Sequence, residues 1–291
     1  MMNGVPIGQA LAVLINTATT FFYHSNQRSK TMTNTLLIDA DMLLFRIMTG
    51  CEIEVFPEPD VVCRWAPLDE VRDQWTKKVD EMRDLFKADY YHFCWTGGSA
   101  FRRRLFPEYK QNRAGKLKPM GWKPMKAELL QEEASIQHDE IEADDWLGIL
   151  ATNPDWVKGN AIIVSGDKDL NQIHGVHYWQ WNEIPLWTVT EEDAMRQFYI
   201  QTLTGDSTDN IKGCPGVGPV KAKKLVDSME LDNEEDSWCI VRAAYRAAYE
   251  KAGIEDDPVE AALLNARLVR ILRQSDYDIE QRKVTLWNPP T

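Results

Sequence analysis

At 291 residues, with 44% hydrophobic and 27% charged residues, the chain has material for one sizeable core plus a smaller appendage, which excludes the disordered and fibrous classes. Its formal charge of −12 excludes a uniformly basic nucleic-acid coat, because Lys and Arg supply most of the affinity for phosphates. Five irregularly spaced cysteines, Cys51, Cys63, Cys94, Cys214 and Cys239, include no C-x-x-C pair; they read as reduced thiols of a cytoplasmic protein and exclude a disulfide or zinc framework.

Residues 5–23 are uncharged but lack a basic start and are interrupted by Gln9, Asn16 and several threonines, so they do not form a signal peptide. Residues 1–32 are expected to be a disordered leader or to precede the true start at Met32. TLLID (35–39), YYHFCW (90–95) and NAIIVSGD (160–167) are short apolar runs of the kind that form buried strands of a parallel sheet. Helical spacing falls between them, at 42–48, 68–86 and 146–151, and strands alternating with helices predict an α/β domain. A Gly-rich segment, 205–218, opens a largely helical remainder with helices over 241–249 and 259–272. Two stretches oppose the acidic average: 102–126, with Glu108 as its one acid before the final lysine, and KAKK at 221–224.

Acids cluster where strands end or helices begin: Asp39 after TLLI, then Glu142, Asp144 and Asp145, then Asp167 and Asp169, then Asp206 and Asp209. Ligands of open α/β sheets bind outside the carboxyl ends of the strands, so these acids can converge. A converging set repels itself by about 4 kcal/mol per pair at roughly 4 Å and an effective dielectric of 20, and needs cations or raised pKa values. All-oxygen donors select hard ions, Mg2+ or Mn2+. Two such ions stabilise both oxygens of an in-line phosphoryl displacement, which points to a metal-dependent nuclease or phosphatase. Each acid alone has a plainer reading, such as favourable placement at a helix dipole or an Asx-turn, and Asp41 reads as the cap of the helix at Met42. Asp167, Asp169 and Asn171 begin like a calcium loop, but Gln172 and Tyr178 stand where Gly and Glu are required.

Phosphate handles accompany the acids. EYKQNR places Lys110 and Arg113 three apart, on one face if helical, beside Tyr109. In NIKGCPGVGPVKAKKL, Gly213, Gly216 and Gly218 can admit phosphate to the backbone, and a helix beginning near Pro219 offers its amides, with Lys221, Lys223 and Lys224 adding charge.

LLIDADMLLFR, EYKQNR, EADD, SGDKD and TGDSTDNIKGCPGVG, in that order, resemble the 5′→3′ exonuclease and flap endonuclease superfamily. With ILRQSDYDIEQRKVTLWNPP they are most similar to the 5′→3′ exonucleases of short-tailed bacteriophages. The resemblance implies an α/β, PIN-like nuclease domain over 33–204 with a central, mostly parallel sheet and a helical arch at 101–126. It implies a helix-hairpin-helix type DNA-binding and helical region over 205–291. Asp39, Glu142, Asp144, Asp145, Asp167, Asp169, Asp206 and Asp209 match metal-ligating acids, with Glu142, Asp144, Asp167 and Asp39 as the inner cage. Lys110, Arg113 and Arg46 match cations at the reacting phosphate, and Tyr109 a stacking residue. Arg102, Arg103 and Arg104 are expected to meet DNA, and 213–224 to hold a duplex backbone together with K+ in relatives. The implied activity is hydrolysis at 5′ ends of double-stranded DNA with two Mg2+ ions, extending to flaps and RNA primers, in the cytoplasm (the host's if viral), without membrane or nucleotide cofactor. A ribonuclease acting on RNA-DNA hybrids and a non-catalytic DNA-end binding module are the alternatives. Ala40 stands where the family often has Gly, which leaves Asp39 in place.

Overall fold

The TLLI run has no polar side to expose, and in the computed structural model it is covered on both faces. The structure describes residues 33–58, 61–98 and 100–290; the leader expected over 1–32 lies outside the described residues. Strand β1 (Asn34–Asp39) leads through α1 (Ala40–Cys51) and a hairpin, β2 (Ile53–Glu58) with β3 (Val61–Trp65), to α2 (Leu68–Phe86) and β4 (Ala88–Thr96). Short helices α3 (Arg102–Leu105) and α4 (Trp122–Leu129) precede β5 (Ser135–His138), α5 (Ala143–Ala151) and β6 (Asn160–Val164). Then come β7 (Gly175–Tyr178), β8 (Leu186–Val189), α6 (Glu191–Thr204), α7 (Pro219–Val226), α8 (Glu234–Ala252), α9 (Pro258–Val269) and a small ribbon, β9 (Tyr277–Asp278) with β10 (Lys283–Val284).

The main sheet runs β5-β4-β1-β6-β7-β8. Every pairing is parallel except that of β7 with β8. Side chains alternate across it: Trp75 of α2 packs against Phe93 and Trp95 on one face of β4, while Cys94 and Leu37 join Trp146, Leu147 and Leu150 of α5 on the other. Asp39 pairs in register with Cys94, so the acid that ends β1 emerges at the carboxyl edge of the sheet, in the position where such sheets bind ligands.

A second apolar cluster joins α6, α7, α8 and α9, including Tyr199, Leu203, Val226, Tyr245 and Ala266. Residues on both sides of position 204 therefore share one core, and residues 33–291 form one compact unit. The segment after α9 returns to the sheet: Ile271 and Leu272 pack on α5. At Gly148 a Cβ would lie 2.3 Å from the Leu272 carbonyl oxygen, so only glycine admits this close approach.

Segment 101–126, expected as a helical arch, is instead a single turn (α3), a 3-10 turn at Gln111–Arg113, a loop and then α4. Pro107, Pro119 and the left-handed Gly115 and Gly121 interrupt any longer helix. The β2–β3 hairpin was not anticipated; all its described residues are exposed, so no buried face marks it in the pattern. All five cysteines are free. Among the described residues no helix is long and apolar enough to cross a membrane.

Candidate metal centre and nucleic-acid interface

Asp39 serves as N-cap of α1, accepting from the Met42 amide at 3.0 Å, and also accepts from Ser165 Oγ at 2.9 Å. Asp41, read from sequence as the cap, is not: its carboxylate accepts from the Thr96 amide and from Lys126 Nζ, both at 2.7 Å. Burial pushes the Asp39 carboxyl up to about 7, with Asp41 and Asp167 adding to the effect.

Glu142 and Asp144 stand at the start of α5. Glu142 is 5% exposed and accepts from Arg102 Nη1 at 2.9 Å, Tyr109 Oη at 2.9 Å and Lys110 Nζ at 2.5 Å. Burial alone would raise its pKa, but Lys110 and Arg102 outweigh it and hold the carboxyl down at about 2. Asp144 makes no ion pair among the described residues; burial, with Asp145 and Glu142 beside it, outweighs the pull of Lys110 and Arg102 and lifts its carboxyl well above the usual range. Asp167 caps the 3-10 turn Lys168–Gln172 through the Asp169 amide at 2.9 Å. Asp169 accepts from Gln201 Nε2 at 2.7 Å, and burial, then Asp167 and Asp206, bring it to about 7. Asp206 closes an Asx-turn on the Thr208 amide. Asp209 receives Tyr109 Oη at 3.1 Å and is ion-paired with Arg113 and, at 3.5 Å, with Lys110.

These acids divide between two adjoining cavities. The larger, about 590 Å³, is lined by Asp39, Asp41, Glu142, Asp144 and Asp167 together with Lys110 and Arg113. The smaller, about 10 Å³ and thus the size of one water or ion, is lined by Asp144, Asp169, Asp206 and Asp209. Asp144 borders both. Within this all-oxygen donor set Asp39, Asp144 and Asp169 are driven toward protonation by burial and by one another's charge, and such a set fits hard divalent cations.

Asp145 stands apart. Its oxygens lie within 4.8 Å of those of Glu142 and Asp144, yet it is fully buried and bidentate on Arg102, at 2.6 and 2.8 Å, with a further bond from the Leu272 amide. Asp145, expected as a ligand, therefore stands within reach of the Glu142 and Asp144 oxygens while also serving as counter-charge to Arg102.

Several expected phosphate contacts are revised. Arg102 is 2% exposed and donates to Leu268 O and Arg270 O as well as to the two acids, so it faces the interior and not DNA. Tyr109 is 3% exposed with its hydroxyl on two carboxylates, which leaves no ring face for stacking. Arg104 is exposed and ion-paired with Glu140, an arrangement that does not contradict its expected contact with DNA. Arg46 is exposed on α1 with its guanidinium 5.5 Å from the Trp181 ring centroid and does not line the cavity. Lys110 and Arg113 do converge, but because Lys110 adopts a left-handed backbone ahead of the 3-10 turn, not because they share a helix. Of the glycines, Gly213 is buried; a Cβ there would meet Thr204 C at 2.3 Å, so it serves chain packing. Gly216 and Gly218 face open space ahead of α7, and Lys221, Lys223 and Lys224 are exposed.

Sequence reasoning missed Lys118, Lys126, Phe45 and Trp122, which line the larger cavity, and Gln201, which holds Asp169. The only signal was the basic composition of 102–126; a single Phe or Trp on an amphipathic face carries none.

The 5′-3′ exonuclease, N-terminal resolvase-like domain model matches residues 34–200, more than half of the chain. The chain belongs to this 5′-3′ exonuclease family. Relatives of this chain include the exodeoxyribonuclease of Enterobacteria phage T3, 25% identical over 87% of this chain and 92% of the relative. The exonuclease of Escherichia phage T7 is 25% identical over 87% and 93%. The flap endonuclease Xni of Shewanella pealeana is 33% identical over 45% and 56%. Among solved structures, the phage T5 5′-exonuclease with bound divalent zinc superposes with a TM-score of 0.59 at 17% identity, covering 81% of this chain and 89% of that one. A T5 flap endonuclease complex with DNA and metal ions gives 0.55 at 15%, covering 81% and 88%. These likenesses bear on the fold, which is α/β and PIN-like with a mostly parallel sheet.

Proposed function

We propose that this 5′-3′ exonuclease hydrolyses phosphodiesters at the 5′ ends of duplex DNA, using two divalent ions, Mg2+ with Mn2+ able to substitute. The observation that carries the reading is Asp144 bordering both acid-lined cavities. One ion falls to Asp39, Glu142, Asp144 and Asp167, the other to Asp144, Asp169, Asp206 and Asp209. Bound together, such ions stabilise the attacking and the departing oxygen of the displacement. Lys110 and Arg113 now neutralise Glu142 and Asp209. With cations on those acids, the two side chains would be free to hold the reacting phosphate and its developing charge.

The exposed stretch from Gly216 to Lys224 would grip the duplex backbone downstream, a helix N-terminus with added lysines being suited to phosphate; a K+ ion belongs to the same element. Flaps are a second substrate class, supported by the flap endonuclease relatives. The reading places the enzyme in the cytoplasm, the host's if the chain is viral. Its test is digestion of one duplex labelled separately at its 5′ and 3′ ends, with a flap substrate alongside. Mg2+-dependent release of the 5′ label ahead of the 3′ label is expected, and release from the 3′ end first would overturn it.

A further inference from the structure

The larger cavity holds cations of two kinds. Lys110 is committed to Glu142, Arg113 to Asp209 and Lys126 to Asp41. Arg103 and Lys118 line the same cavity, and neither has an ion pair or side-chain hydrogen bond among the described residues. Lys118 Nζ lies 4.2 Å from the Trp122 ring centroid and 5.4 Å from that of Phe45; these two rings meet edge to face at 6.3 Å. Cation–π contact fixes the ammonium while leaving its hydrogen-bond donors free. Arg103 also borders an adjoining cavity of about 390 Å³ lined by Lys110 and Arg113 and by no carboxylate.

We infer that Lys118 and Arg103 form a subsite for the 5′-terminal phosphate of the strand being cut, separate from the metal-ligating acids. The inference rests on the nuclease reading above. With the reacting phosphate held at the acids, a cavity of about 590 Å³, within the range of small-ligand sites, leaves room for little more than one nucleotide on its 5′ side. The next phosphate is then the terminal one. A terminal monoester carries about −1.5 to −2, which matches two uncommitted cations, whereas an internal diester carries a single charge.

The test compares the full-length protein and its Lys118→Met variant on duplexes differing only in a 5′-phosphate or a 5′-hydroxyl. Equilibrium binding is measured with Ca2+ and steady-state cleavage with Mg2+. Methionine keeps a stem against the rings and removes the charge. The wild type is expected to favour the phosphorylated end about tenfold in Kd and KM, the scale of one charge-assisted contact. Lys118→Met should lose that preference while its behaviour on the hydroxyl end stays the same, and Lys118→Arg should retain it. Equal affinity of the wild type for both ends overturns the inference, as does a Lys118→Met loss of equal size on both, which marks an internal phosphate. Cleavage of neither end by a wild type that still prefers the phosphate in binding overturns the nuclease reading and keeps the subsite.

Discussion

Replacing Arg102 with Met should destabilise the site from behind without replacing any proposed ligand. The guanidinium is 2% exposed and makes five hydrogen bonds, to Glu142, twice to Asp145, and to the carbonyls of Leu268 and Arg270. Removing one partner of a buried ion pair costs about 3–5 kcal/mol, because the remaining charge stays buried without compensation. Two carbonyls also lose their donor. For a domain of this size each kcal/mol lowers Tm by roughly 2–4 °C, so a drop of about 6–20 °C is expected. Glu142 would lose one of its three donors, and loss of such outer contacts typically weakens metal binding by about 10–100-fold. Denaturant unfolding followed by tryptophan fluorescence measures the first effect and Mn2+ titration the second. The double variant Arg102→Met with Asp145→Met should recover part of the loss, since replacing both partners with apolar groups removes the uncompensated charge. Arg104→Met, at the exposed pair with Glu140, serves as control and should leave stability unchanged. A loss below about 1 kcal/mol for Arg102→Met would refute the view that this residue joins the C-terminal segment to the metal centre.

Stability of the metal-free protein should depend on pH with an unusual sign. Asp39 and Asp169 are raised from 3.8 to about 7, so the native state holds protons that the unfolded chain has released, and stability falls as pH rises between about 4 and 7. The expected change is of order a few kcal/mol, visible as a lower Tm at pH 8 than at pH 5.5, and Mn2+ should raise Tm more at pH 8; a metal-free Tm that climbs across this window contradicts the burial of these carboxyls. Gly213→Ala forces a Cβ into the Thr204 backbone at a positive φ of 69° and should cost more than 1 kcal/mol by chemical denaturation, whereas Gly218→Ala, with open space around it, should not.

Much of the fold was legible because its parallel strands are apolar on both faces: TLLI and AIIV have no other use in a folded chain. Helix α2 was read to its ends because Val71, Trp75, Val79, Met82 and Phe86 keep a helical period on its buried side. The β2–β3 hairpin escaped because nothing covers it, and α6 because its apolar residues are shared between two packing faces. At the site, the acids could be named since strand ends concentrate them, but their division could not. Asp144 and Asp145 are adjacent and chemically identical, and that only Asp145 is also the counter-charge of Arg102 is decided by residue 102 and by Leu272, far away in sequence. Burial of Arg102 and Tyr109 was hidden for the same reason: a basic run reads as a phosphate surface until the carboxylates that claim its members are seen.

The central claim is that eight matched acids reduce to two ion sites sharing Asp144. Mn2+ binding stoichiometry, counted by titration of the metal-free protein, tests it most directly. Two ions per chain are expected for the wild type, one for Asp169→Asn, and none held tightly by Asp144→Asn; a wild type that binds a single ion, or an Asp144→Asn variant that still binds two, would contradict the account.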